Sequence, residues 1–126
     1  MSEIHKFTDS QIIEALRATA EENPDRVYKA PGHLAGGDLS CFYVHTDPET
    51  GDPVSPGCGV GVALHRLGIP LEELAKCEGQ AADTVVERLV PRGPYGEAAR
   101  FALIFQTYQD DGATWADSLR AAEERL

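Results

Sequence analysis

The residues best suited to chemistry in this 126-residue chain are its three cysteines and four histidines. Cys41, His45, Cys58 and His65 supply the ligand types of a Cys2His2 zinc site, in the order C-x3-H-x12-C-x6-H. Structural zinc sites pair their ligands more closely, with roughly two to five residues between partners. On a strand Cys41 and His45 would share a face, but His65 falls beside Arg66 on the outer side of a helix. The expectation is therefore no metal and no cofactor, with these four residues as the only metal candidates. Cys41 and Cys58 then read as small buried hydrophobes.

Three other chemistries fare no better. A Cys–His nucleophile could be drawn from Cys41 or Cys58 with His33, His45 or His65, yet no local signature supports one. A loop-built site around His33, Gly36-Gly37 and Cys41 is the enzymatic alternative; the expectation is that the protein is not an enzyme. Gly57-Cys58-Gly59-Val60-Gly61 opens a helix, where free N–H groups attract anions. Counted from Gly59, the third glycine of a dinucleotide fingerprint falls on Leu64, and no Lys-Ser or Lys-Thr follows. Tight packing of this helix against the strand at Cys41 to His45 is the simpler reading. The adjacent carboxylates Glu72-Glu73, Asp110-Asp111 and Glu123-Glu124 diverge by about 100° on a helix and converge on nothing. Trp115, Gln109 and Asp110 form the candidate interaction surface, an aromatic beside polar groups. For Trp115 the competing role is a core anchor against Tyr108 and Phe105.

The elements that must hold these residues are well punctuated. Thr8 and Gln11 form a capping box, Phe7 and Ile12 a hydrophobic staple, and Ile12, Ile13, Leu16 and Ala20 one buried stripe. Asn23-Pro24 ends that helix. Val27-Tyr28 is a short extended candidate, Leu39 to His45 reads as a strand, and Val54 as its partner across a turn-rich segment. The second helix runs from Cys58 to Gly68, with Val60, Ala63, Leu64 and Leu67 inward. Gly59 and Gly61 weaken it by about 1 kcal/mol each, so close backbone packing must compensate. Pro70 opens a third helix, which stops or kinks at Gly79 and resumes to Val90. After Pro91-Arg92-Gly93-Pro94, Ala98, Phe101, Ala102, Phe105 and Tyr108 mark the most apolar helix. Thr114, with Asp117 three residues on, caps the last one, which pairs with it as an αα-hairpin. The fold class is α+β and mainly helical, with about five helices packed around one short β-hairpin in a single domain, 1–126.

Composition bounds the partners. The net charge of -10, with acids spread over both halves, disfavours bare nucleic acid and a polybasic membrane surface. No apolar run is long enough to span a bilayer, and no basic-then-apolar leader opens the chain. An odd cysteine count leaves at least one thiol unpaired, which fits a reducing cytoplasm.

Two segments, C-x-V-G-x-x-L-x-x-L-G-x-P from Cys58 to Pro70 and Q-x-x-Q-D-x-G-x-x-W from Gln106 to Trp115, are together similar to segments of small uncharacterised proteins of actinobacteria and their phages. The resemblance transfers no site. It implies an accessory, phage-derived protein that acts by binding. The functional expectation is a small acidic cytoplasmic accessory or regulatory protein acting through an unidentified protein partner. A homodimer is also expected from the broad apolar surface of Phe101, Ile104, Phe105 and Tyr108. The alternatives are a zinc protein using Cys41, His45 and Cys58, an acidic nucleic-acid mimic, and the small enzyme near His33 and Cys41.

Overall fold

A computed structural model describes residues 7–29, 42–78, 80–89 and 96–125. Its elements in chain order are α1 (Asp9–Glu22), β1 (Val44–Thr46), β2 (Pro53–Pro56), α2 (Gly59–Arg66), α3 (Leu71–Ala75), α4 (Ala82–Leu89), α5 (Glu97–Asp110) and α6 (Trp115–Glu124). The class is as expected: mainly helical, with one two-stranded antiparallel hairpin. The described residues hold six helices rather than about five, because α3 and α4 are separate. The expected strand from Leu39 lies partly outside the described residues; among those described, β1 covers Val44–Thr46.

Local chemistry explains the boundaries. Thr8 accepts from the Gln11 N–H at 3.1 Å and Gln11 returns a bond to the Thr8 N–H at 2.9 Å, closing the capping box. Asn23 terminates α1 ahead of Pro24. Gly68 and Gly112, at φ of 103° and 98°, carry the chain out of α2 and α5 through the left-handed region. Thr114 accepts from Asp117 N–H at 3.1 Å. The two preceding N–H groups of α6, on Trp115 and Ala116, bond to the carbonyls of Arg26 and Pro24. The turn after α1 thus closes the first turn of α6.

The core is a helical stack. α5 packs on α6, α4, α1 and α2, and the hairpin sits against α2 and α3. Phe101, Phe105 and Trp115 are fully buried at its centre. The Phe105 and Trp115 rings meet at 6.5 Å between centroids, a tilted contact. Phe101 and Phe105 are thus covered within the chain, which removes most of the apolar surface behind the dimer expectation.

Gly59 and Gly61 are the close-packing positions that the sequence required. A Cβ on Gly61 would lie 2.2 Å from the Tyr43 carbonyl oxygen, and one on Gly59 would lie 2.3 Å from a Phe105 ring carbon. The glycine-rich start of α2 therefore lets its backbone press directly on the hairpin and on α5.

Two buried carboxamides on one face of α5 complete the arrangement. Gln106 accepts from Ala82 N–H at 2.9 Å, and Gln109 accepts from Gly59 N–H at 2.7 Å. Ala82 and Gly59 are the first residues of α4 and α2, so each glutamine satisfies a helix start. Gly61→Ala and Gln109→Leu should each lower the unfolding free energy by about 1–3 kcal/mol, the first through overpacking and the second by orphaning a buried N–H. Urea denaturation checks both; an unchanged midpoint for either would remove its assigned role.

Candidate functional site

Tyr28 follows the turn after α1 and lies against the hairpin. Its hydroxyl is 3.0 Å from His45 Nε2 and accepts the Phe42 N–H at 3.2 Å. The Tyr28 and His45 rings lie 5.6 Å apart between centroids. Both groups are satisfied when the hydroxyl donates to Nε2 of a neutral imidazole. Burial pushes the Tyr28 phenol up to about 12, against the Phe42 hydrogen bond, which pulls it down. It is a fixed hydroxyl rather than a nucleophile.

A cleft of about 490 Å³ opens beside this pair. Arg26, Lys29 and His45 bring its nitrogen cations and imidazole, Ser55 a hydroxyl, and Val27, Pro56 and Val62 an apolar wall. His45 and Ser55 are direct partners across the β1–β2 ladder, so they share one face of the hairpin. Gly57 is needed where the hairpin turns into α2. A Cβ there would sit 2.2 Å from the Phe42 oxygen and 2.8 Å from the His45 ring. Arg26 is held from the other side, its guanidinium 4.9 Å over the Trp115 ring.

Behind the cleft lies a polar cluster. Glu78 uses both carboxylate oxygens, at 2.9 and 3.1 Å, to accept the N–H groups of Tyr43 and Val44. The Tyr43 hydroxyl donates to the Gln80 carbonyl at 2.6 Å and accepts from Gln106 Nε2 at 3.2 Å. Burial raises the Glu78 carboxyl above its ordinary range, and the two amide bonds only partly offset this. Tyr43 is pushed up to about 12, again chiefly by burial. These groups brace the hairpin.

The residues singled out from sequence are placed differently from their candidate roles. Cys58 is fully buried at the start of α2 and is disulfide-bonded, whereas Cys77 is a free, half-buried thiol. A disulfide sulfur is neither a thiolate ligand nor a nucleophile, so Cys58 leaves both readings; it is buried, as expected of a small hydrophobe, but bonded rather than free. His45 turns to Tyr28, while His65 is exposed and lies 3.0 Å from the Ile69 carbonyl through Nδ1. No group of three or more metal-ligating side chains gathers among the described residues. His33, Gly36, Gly37 and Cys41 lie outside them. The N–H groups of Gly57, Cys58 and Gly59 bond to Tyr43, Phe42 and Gln109, so three of the five N–H groups of the glycine-rich start already have acceptors within the chain.

The interaction surface of Trp115, Gln109 and Asp110 also needs correction. Trp115 and Gln109 are at 0% and 1% exposure, and only Asp110 reaches the surface. The indole anchors α6 on Phe105 and supports Arg26; Gln109 holds the start of α2. Arg26, Lys29 and Ser55 belong to no motif, and Tyr28 is marked in the sequence only as part of the short extended segment Val27-Tyr28. One signal was available: residues 1–63 contain only four bases, and two of them fall within Arg26-Val27-Tyr28-Lys29.

Comparison with protein-family models, curated proteins and solved structures gives no match. No helix among the described residues is long and apolar enough to cross a membrane.

Two outcomes follow. Protein denatured without reductant should titrate one thiol per chain and, after reduction, three; three from the start would contradict the bond at Cys58. A carboxyl with a raised folded pKa binds its proton more tightly in the native state, so stability falls as pH rises from its ordinary value through the folded one. Unfolding curves between about pH 4 and 7 should show the wild type losing stability relative to Glu78→Gln as pH rises. Parallel curves would deny that Glu78 ionises at a cost.

Proposed function

We propose that the protein is a binding module, an accessory or regulatory factor that engages a protein partner through its hairpin side. The observation that carries this is the position of its exposed large apolar side chains. Among the described residues these are Val27 and Val54, at 42% and 59% exposure. Val27 lines the cleft, and Val54 lies on β2 of the hairpin that forms its other side, outside the lining itself. Exposed apolar groups beside a concave, mixed polar surface are the anatomy of a recognition patch. The likeness to small actinobacterial and phage proteins agrees with an accessory role.

Charge placement favours this over an acidic mimic. Carboxylates occur on every helix but α2 and in the hairpin turn, rather than gathering on one face. Several are already paired, Glu22 with Arg66, Glu14 and Glu123 with Arg17, and Asp117 with Arg120. The disulfide at Cys58 suits an oxidising compartment, which weighs against the cytoplasmic expectation.

A photo-crosslinking residue at position 54 should trap a discrete partner in native lysate. The same residue at position 87, on α4, should not. Adding Val27→Glu should abolish the product while leaving the far-ultraviolet circular dichroism unchanged. Equal trapping from both positions, or no product from position 54, would overturn the reading.

A further inference from the structure

We propose that the cleft between the Arg26–Lys29 segment and the hairpin is a binding site for a small organic anion, a carboxylate or phosphate ester carried on an apolar body. The site shares Val27 with the surface proposed for a protein partner, but its own test, small-anion binding, can hold or fail independently of that reading.

Charge is the first ground. The chain has 21 acids against 11 bases, yet among the described residues no carboxylate lines this cleft, while Arg26 and Lys29 both do. Glu78 and Asp110 act electrostatically on Tyr28, but neither reaches the lining. Two bases and no acid among the described lining residues, in so acidic a protein, mark a place where an anion is favoured over a cation.

Shape and donors are the second. About 490 Å³ suits a ligand of one small ring or a short aliphatic chain. Val27, Pro56 and Val62 give its body an apolar wall, and Ser55 adds a hydroxyl donor beside His45. An all-polar ion such as inorganic phosphate would leave that wall unused.

Preorganisation is the third. Arg26 is stacked on the buried Trp115 ring, and the Arg26 carbonyl accepts the Trp115 N–H at 2.8 Å. His45 is fixed by Tyr28, and Gly57 allows its ring to lie against the backbone. Binding therefore orders little that is not already ordered.

The test is a titration of the intact, oxidised protein followed by amide nuclear magnetic resonance. The probes are benzoate, phenyl phosphate, benzyl alcohol and inorganic phosphate at constant ionic strength. Benzoate or phenyl phosphate should give saturable shifts at the amides of residues 26–29, 45, 55, 57 and 62. Benzyl alcohol and inorganic phosphate should bind at least about tenfold more weakly, each lacking one half of the recognition. Lys29→Ala should weaken the anions by about tenfold and leave the remaining spectrum in place. Val62→Trp, which fills the cleft and keeps both charges, should abolish binding. No saturable shift with either organic anion, equal shifts with benzyl alcohol, or binding that survives Val62→Trp would overturn the site.

Discussion

The arrangement rests on α5 supplying hydrogen-bond acceptors to other helices from inside the core. Gln106 and Gln109 stand three residues apart, on one face. One closes the start of α4 and the other the start of α2. α2 has no side-chain cap at its N-terminus, where the residue is the disulfide-bonded Cys58, and the residue ahead of α4 is Ala81, whose side chain has no acceptor to offer. A helix start buried without an acceptor costs the desolvation of its N–H groups. Those two carboxamides therefore decide whether α2 and α4 can be buried at all, and so where the hairpin riding on α2 comes to rest.

The same demand runs outward through Tyr43. Its ring is buried, its hydroxyl bridges Gln106 and the Gln80 carbonyl, and its own backbone is pressed by Gly61 and held by Glu78. The short hairpin needs this bracing because two strands alone are marginal in water. Each bond in the chain from Gln106 to Tyr43 to Glu78 leaves a buried group satisfied, so losing one exposes the next to an unmet desolvation cost. The hairpin face bearing His45 and Ser55 is thus set from the core side, while the Arg26–Lys29 segment is set by α6 through Trp115.

Much of the fold was legible because it is written in local signals. The Thr8–Gln11 box, the Asn23-Pro24 stop, the Thr114 cap and the glycines at 59 and 61 all act within a few residues or through sterics alone. What escaped depends on partners far away in sequence. Gln106 and Gln109 sit amid polar residues next to a turn and read as surface, because nothing local says that Ala82 and Gly59 await them. Trp115 was caught between two readings for the same reason: its environment is built by Phe105 and Arg26. The α3–α4 division falls between Ala75 and Ala82, where the sequence alone leaves open whether a helix stops or kinks. The disulfide at Cys58 could not be read from three widely spaced cysteines, since spacing does not specify pairing.

The charge of the whole molecule then acquires a local meaning. At a distance the protein repels anions, and at physiological salt that field fades over roughly 8 Å. Among the described residues the formal charges that line the cleft are positive. The two effects act on different ligands. A multiply charged polyanion extends across the surface and meets the carboxylates of α5, α6 and the hairpin turn. A small ligand with one charged end lies wholly within reach of Arg26 and Lys29 and turns its remainder to Val27, Pro56 and Val62. For the proposed site the surrounding acidity is then a filter on size and charge number, which disfavours an extended polyanion relative to a compact organic anion.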